Sequence, residues 1–292
     1  MTQTLRLLGR MLLGALGVLV LAGLWEAYKA LGPDSGVVIG GTTILPRTTD
    51  LAMPHVWEMI TKFSDPVASF SGGDTVASAV WSACLFTLKL SAIGWVIGVV
   101  IGLVLALLMT RFRLAESAML PWIVLSQTVP LIAIAPLVRR WGSQIHIAGW
   151  TWTSEASVAV IAAYLAFFPV AVGALRGLRS PDSTHLDLMH AYGVGWWRGL
   201  ATLRLPSSVP YLLPALRLAA ASAVIGEVVA EASIGLRGGV GRLVIEYAQS
   251  AGGDPAKPWA PIFGAIAVGL VSAGAVGLIG LMCRPYRRGE TA

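Results

Sequence analysis

Residues Leu90–Thr110 read LSAIGWVIGVVIGLVLALLMT, 21 residues without a single Asp, Glu, Lys or Arg. A helix rises about 1.5 Å per residue, so this run covers about 30 Å, the hydrocarbon thickness of a bilayer. Working outward, three more charge-free runs reach that length: Ser117–Val138 (22 residues), Ala156–Leu175 (20) and Pro258–Cys283 (26). Met11–Trp25 adds 15 charge-free residues and lengthens into a span if Glu26 or Lys29 sits at the membrane interface. Tyr211–Ile234 is apolar apart from Arg217, Glu227 and Glu231. The expected fold is an all-α membrane protein of six transmembrane helices, with both termini on one side.

Composition agrees. Apolar residues make up 56% of the 292 and charged residues 12%, about half the charged share of a soluble domain. Mean hydropathy is +0.74. Thirty-six charged side chains cannot coat a soluble fold of this size, which excludes soluble enzymes, secreted disulfide scaffolds and disordered chains. Cys84 and Cys283 lie in apolar stretches and indicate neither a disulfide framework nor a metal site. The net charge of +6 comes from arginines scattered between apolar runs, a placement that fits membrane topology rather than nucleic acid.

Twelve of the 21 basic residues, Arg6, Arg10, Arg111, Arg176 and Arg284 among them, fall on the side of the termini, which makes that side cytoplasmic. Arg6 and Arg10 precede a short apolar core as in a signal peptide, but the stretch from Glu26 to Gly32 offers no clean small-x-small cleavage site. The chain then divides into a first span with its cytoplasmic N-terminus (1–31), an extracytoplasmic segment (32–80), a five-helix core (81–283) and a cytoplasmic tail (284–292). Within the outer segment, Pro54–Phe63 carries apolar residues at 56, 57, 59, 60 and 63, a spacing for a short helix lying on the outer surface.

The connection 176–210 is long and cytoplasmic. After Pro181-Asp182, Ser183 or Thr184 can cap a helix that shows Leu186, Met189 and Ala191 and ends at Gly193. A second short helix, Trp196–Leu203, is expected to stop before Pro206. Two short helices joined at a glycine bend and carrying Tyr192, Trp196, Trp197 and Leu205 make an apolar knob, which a simple reconnecting loop would not need.

Here the chain resembles the membrane-spanning subunits of bacterial ABC importers, the binding-protein-dependent type I permeases. Their cytoplasmic signature runs Glu-Ala-Ala, three residues, Gly, nine residues, Ile-x-Leu-Pro. Gly193 places Leu203 on the Ile position and Leu205-Pro206 on Leu-Pro, with Asp187 in the Glu place and Leu188-Met189 departing from the two alanines. Pro130-Leu-Ile-Ala-Ile-Ala-Pro136-Leu, followed by Trp141, is similar to a segment of the nitrate/sulfonate/taurine group, as are Leu205–Ala219 and Val228-Val-Ala-Glu231 with the glycine-rich turn Gly235–Gly241. The resemblance covers roughly residues 50–280. It implies the type I ABC importer permease fold and a non-enzymatic subunit in the bacterial plasma (inner) membrane. It implies as partners cytoplasmic ABC ATPase subunits, a second permease subunit (a second copy or a close paralogue), an extracytoplasmic binding protein and membrane lipid, and no nucleic acid. Asp187, Met189, Tyr192, Gly193, Trp196, Trp197, Leu203, Leu205 and Pro206 would couple to the ATPase. No cofactor is expected in this chain; ATP and Mg belong to the ATPase, since the turn at 235–241 lacks the Lys-Ser/Thr end of a phosphate cradle.

Charges inside the spans mark the candidate path. Glu227 and Glu231, four residues apart, share one helical face. Glu227, Arg139 and Arg140 depart from the family pattern. With Pro130 and Pro136, which bend the end of the third span, they line a translocation route or gate; an Arg–Glu pair, or arginines snorkelling to the outer interface, are the plainer readings. The implied solutes are pyrimidines, riboflavin-like or other small organic molecules, with sulfonate, taurine or nitrate-type anions as the alternative. A membrane enzyme using Glu227, Glu231 and His146, or a secondary transporter, would leave the knob unexplained, and no internal repeat supports the latter.

Overall fold

The computed structural model describes residues 2–67, 74–147 and 149–282. Cys283 and the tail 284–292 lie outside the described residues. The element order is α1 (Thr2–Leu31), β1 (Val37–Ile39), β2 (Thr42–Leu45), α2 (Val56–Thr61), α3 (Val76–Arg111), α4 (Arg113–Ser126), α5 (Leu131–Gly142), β3 (His146–Ile147), β4 (Trp150–Thr151), α6 (Ser154–Leu178), α7 (Ser183–Ala191), α8 (Trp196–Gly199), α9 (Leu205–Ile234), α10 (Val240–Gln249) and α11 (Trp259–Met282). The strands form two small antiparallel hairpins in the connections. Helices carry the fold.

Five helices are long and apolar enough to cross a bilayer, and a bent pair, Leu114–Ser126 with Leu131–Gly142, makes a sixth if it crosses as one broken span. That pair corrects the continuous run expected at Ser117–Val138. The two helices meet at 102°. Pro130 withdraws Val129 from the helical region and stands as the N-cap of α5, so the break falls in the middle of the run rather than at its end. The Tyr164 hydroxyl donates to the Ser126 carbonyl, one of those freed where α4 ends.

The chain divides into two compact units, one from residues 1–79 and 244–260, the other from 80–243 and 261–292. In the first, α1 exposes Leu12, Leu13, Leu16, Leu19 and Leu21 on all sides, as a lipid-surrounded helix does. Its C-terminal end is clasped by the segment that follows. Glu26 accepts from the Val56 backbone N–H and pairs with His55, both at 2.7 Å, and the Trp25 indole donates to the Pro54 carbonyl at 3.0 Å. Lys29 Nζ donates to Asp50 at 2.5 Å and to the Met53 carbonyl at 2.6 Å, which holds the Asp50 carboxyl below its usual range. Lys62 bridges Asp65 and Asp254 at 2.9 and 3.0 Å, and these partners raise its ammonium above the usual lysine range. Within the stretch Pro54–Phe63, α2 covers Val56–Thr61, with Met59 buried and Trp57 and Ile60 exposed.

In the second unit the core is built on small residues. Gly94, Gly98 and Gly102 of α3 repeat every four positions and face Ala162, Ala166 and Val170 of α6; a Cβ at Gly98 would lie 2.7 Å from that of Ala166. Gly177 meets Ser208 of α9 in the same way. Lipid tails are as apolar as leucine, so spans associate through close backbone approach, which glycine and alanine allow. Ala162, Ala166, Val170, Ala219 and Ala223 form the buried centre between α6 and α9.

Candidate functional site

Connection 176–210 is rigid at its base and exposed at its tip. Arg179 places two guanidinium nitrogens on the Glu116 carboxylate, both at 2.5 Å, and Arg204 donates to the Leu178 carbonyl at 2.8 Å. Ser180 reaches the Gly177 and Ser207 carbonyls. Sequence reading missed Arg179, Arg204 and Glu116, because nothing local tells that residues 116 and 179 meet.

Helix α7 begins on Asp182, whose carboxylate accepts the Thr184 N–H at 2.8 Å. Asp182 therefore replaces the expected Ser183 or Thr184 as cap, and the backbone bond holds its carboxyl below the usual aspartate range. At the other end Val194 N–H donates to Met189 and Gly193 N–H to His190, both at 2.9 Å, with Gly193 at φ +68°. This pair of bonds is the Schellman closure, which needs a residue in the left-handed region and favours glycine there.

The second short helix differs from expectation. Helix α8 spans only Trp196–Gly199, a widened π turn covers Leu200–Arg204, and α9 follows at once from Leu205. Pro206 sits in the first turn of α9 and does not end a helix. Proline is tolerated where a helix begins, and the wide turn before it accommodates the missing N–H. The candidate span thus runs without a break from Trp196 to Ile234, and within it α9 begins at Leu205, six residues before the apolar run expected from Tyr211.

The two tryptophans, edge to face at 4.6 Å between ring centroids, part company. Trp196 packs on the core of Met109, Leu175, Leu178 and Leu200, under the Arg111 guanidinium. Trp197 is 75% exposed and Tyr192 78%. Asp187 and Leu188 are exposed, Leu205 is 44% exposed, and Met189, Leu203 and Pro206 are half-buried. The exposed large apolar side chains of α7 and α8 and of the bend between them are Leu188, Tyr192 and Trp197, and Asp187 is exposed next to Leu188 in the chain.

Glu227 and Glu231 are wholly buried on one face of α9. Glu231 is bonded on both oxygens: Thr87 Oγ1 of α3 donates at 2.8 Å and the Gly241 N–H at 2.8 Å, while Thr87 in turn accepts the Val240 N–H at 3.0 Å. A Cβ at Gly239 would fall on the Glu231 carboxylate. The glycine-rich turn is thus folded around a carboxylate. Glu227, beside it, receives no hydrogen bond from any N–H or O–H. Arg139 does not reach either glutamate; it donates to the Ile234 carbonyl at 2.9 Å, at the end of α9. Arg140 is exposed. No Arg–Glu ion pair joins these residues among the described residues. Pro130 caps α5 and Pro136 lies inside it, one turn from Arg139.

The description of binding-protein-dependent transport system inner membrane components matches residues 98–283, from α3 to the end of α11. A probable ABC transporter permease protein of Haemophilus influenzae is 31% identical over 198 residues, covering 65% of this chain and 77% of its own length. The formylaminopyrimidine transport permease protein ThiX of Halalkalibacterium halodurans is 31% identical over 206 residues, covering 69% and 76%. The putative aliphatic sulfonates transport permease protein SsuC of Bacillus subtilis is 28% identical over 212 residues, covering 73% and 69%. The chain therefore belongs to the binding-protein-dependent inner membrane components: it is a permease subunit of an ABC importer, whose ATP hydrolysis resides on a separate subunit.

Proposed function

We propose that two permease subunits, this chain with a second copy or a close paralogue, form the path for a small organic solute handed over by an external binding protein, with the connection 176–210 seated on a cytoplasmic ATPase. Both termini are then cytoplasmic and the membrane is the bacterial inner membrane. The observation that carries this is the braced knob: Asp187, Leu188, Tyr192 and Trp197 exposed, on a base fixed by Arg179, Arg204 and the Gly193 closure. A push on the tip is passed to α6 and α9 only if the base does not yield.

For the solute, we favour a pyrimidine or similar nitrogen heterocycle. ThiX is named for such a molecule, and Glu227 holds a buried carboxyl beside Glu231 inside the helix packing, a polar group for a heterocycle to reach when the helices part. Sulfonate, taurine or nitrate-type anions are the second reading, favoured by SsuC and by the exposed Arg140 near the end of α5.

The test is ATP hydrolysis by the chain co-purified with its ATPase and binding protein in lipid nanodiscs. Solute-loaded binding protein is expected to stimulate hydrolysis in the wild type, and Trp197→Ala and Asp187→Lys are expected to lose the ATPase while thermal unfolding of the permease is unchanged. If the wild type retains no ATPase, or both variants keep it, the reading fails. The solute that stimulates hydrolysis decides between heterocycle and anion.

A further inference from the structure

Arg217 lies on the exposed side of α9, inside a membrane-spanning helix, and makes no ion pair among the described residues. Its guanidinium rests over the backbone of α11, where two glycines leave room. A Cβ at Gly277 would stand 3.6 Å from Nη2, and one at Gly280 would stand 3.4 Å from it. In the sequence Gly280 stands three residues before Cys283, where the charge-free run of α11 gives way to Arg284, so the charge lies near the end of that run. This is the depth at which a cationic side chain meets lipid headgroups by snorkelling. Beside it, between α3, α9 and α11, is an apolar cavity of about 160 Å³ lined by Leu88, Ala92, Trp95, Ala220, Val276 and Ile279. Ala92 and Ile279 are exposed, so the cavity opens outward from the helix layer. An apolar cavity of about 150 Å³ holds a benzene-sized group, which is the girth of a short stretch of acyl chain.

We propose that this site binds one anionic phospholipid, its phosphate on Arg217 and part of an acyl chain in the cavity. Charge complementarity selects the occupant: an unpaired cation facing lipid requires an anion, and an adjoining apolar cavity requires that the anion carry a hydrocarbon chain. The site belongs to the membrane leaflet on the side of connection 176–210, because Gly280 of α11 also meets Leu213 in the first half of α9. It is independent of the ATPase and of the solute.

The test is lipid retention. The full chain is equilibrated in detergent with equal dioleoyl-phosphatidylglycerol and dioleoyl-phosphatidylcholine, washed, and its bound lipid measured by mass spectrometry. The wild type is expected to retain phosphatidylglycerol over phosphatidylcholine by about five-fold, the size of one basic residue at a membrane surface. Arg217→Gln is expected to abolish that preference and Arg217→Lys to keep most of it. Ala92→Leu, which fills the cavity, is expected to lower retention of both lipids, and glycerol phosphate is expected not to compete. Equal retention of the two lipids by the wild type overturns the proposal, as does a preference unchanged in Arg217→Gln. Competition by glycerol phosphate would mean a free-anion site and also overturn it. Should Arg217→Gln fail to fold, the wild-type preference and the Ala92→Leu result still decide.

Discussion

Two glycine turns of this permease do opposite work. At Gly193 the left-handed backbone closes α7 in open space: a Cβ there would meet nothing within 4 Å. At 235–241 the backbone is wrapped round a buried carboxylate, and a Cβ at Gly239 or Gly241 would strike the Glu231 side chain or the Val228 carbonyl. The first glycine is required by φ alone. The second set is required by space and by hydrogen bonding as well. A turn at the surface can therefore present a face to a partner, while a turn in the core can only hold the ends of α9 and α10 together.

The largest effect should come from the buried turn. Glu231→Ala leaves the Gly241 N–H and the Thr87 hydroxyl without their acceptor, each about 1–3 kcal/mol, so a loss on the order of 2–6 kcal/mol is expected in thermal unfolding of the purified permease. Gly239→Ala overpacks the same spot and should cost about 1–3 kcal/mol. Because its new methyl group collides with the glutamate, the double variant should be less unstable than the sum of the two. Additive losses would show that the turn does not fold around Glu231.

The tryptophan pair divides along the same line. Trp196→Ala should destabilise by about 2 kcal/mol, since the ring packs on the Leu175–Leu178 core; Trp197→Ala should stay within about 0.5 kcal/mol of wild type, as exposed substitutions do. Equal losses in the same unfolding assay would mean that both rings are structural and would take Trp197 away from the ATPase.

Gly193→Ala should cost about 1–2 kcal/mol, the strain of a left-handed non-glycine residue, with no steric share. Its larger consequence should appear as weaker coupling of ATP hydrolysis to solute, because α7 no longer meets α8 at the same angle. A fully coupled Gly193→Ala variant would separate the bend from the coupling.

The smallest effect concerns Asp182. Its carboxyl is held below the usual aspartate range by the Thr184 N–H, so its contribution to α7 is present above that usual value and is lost as pH falls through the depressed one. Amide hydrogen exchange in residues 183–191 should therefore rise only in that acidic window, and Asp182→Asn should flatten the change. A rise already complete near neutral pH would contradict the cap.

The sequence carried much of this. Charge-free runs located the candidate membrane helices because a helix satisfies its own backbone within a bilayer, and the spacing from Gly193 to Pro206 located the knob. Prolines were harder to read. Pro130 breaks a span in its middle, whereas Pro206, expected to end a helix, stands at the start of one; the same ring does either, depending on whether the preceding turn can widen. In the sequence Leu188 stands out only as a departure from a motif, yet it is 52% exposed.

What the sequence determined by itself was class and periodicity: which runs cross lipid, and that Glu227 and Glu231 share a face. Only the tertiary structure decided their difference. Thr87, 144 residues earlier in the chain, and the Gly241 N–H reach Glu231 and not Glu227, so one carboxylate holds a turn and its neighbour takes no donor from another helix. Helical spacing is local and written in the chain. The donor that satisfies a buried oxygen arrives from another helix, and close packing alone brings it there.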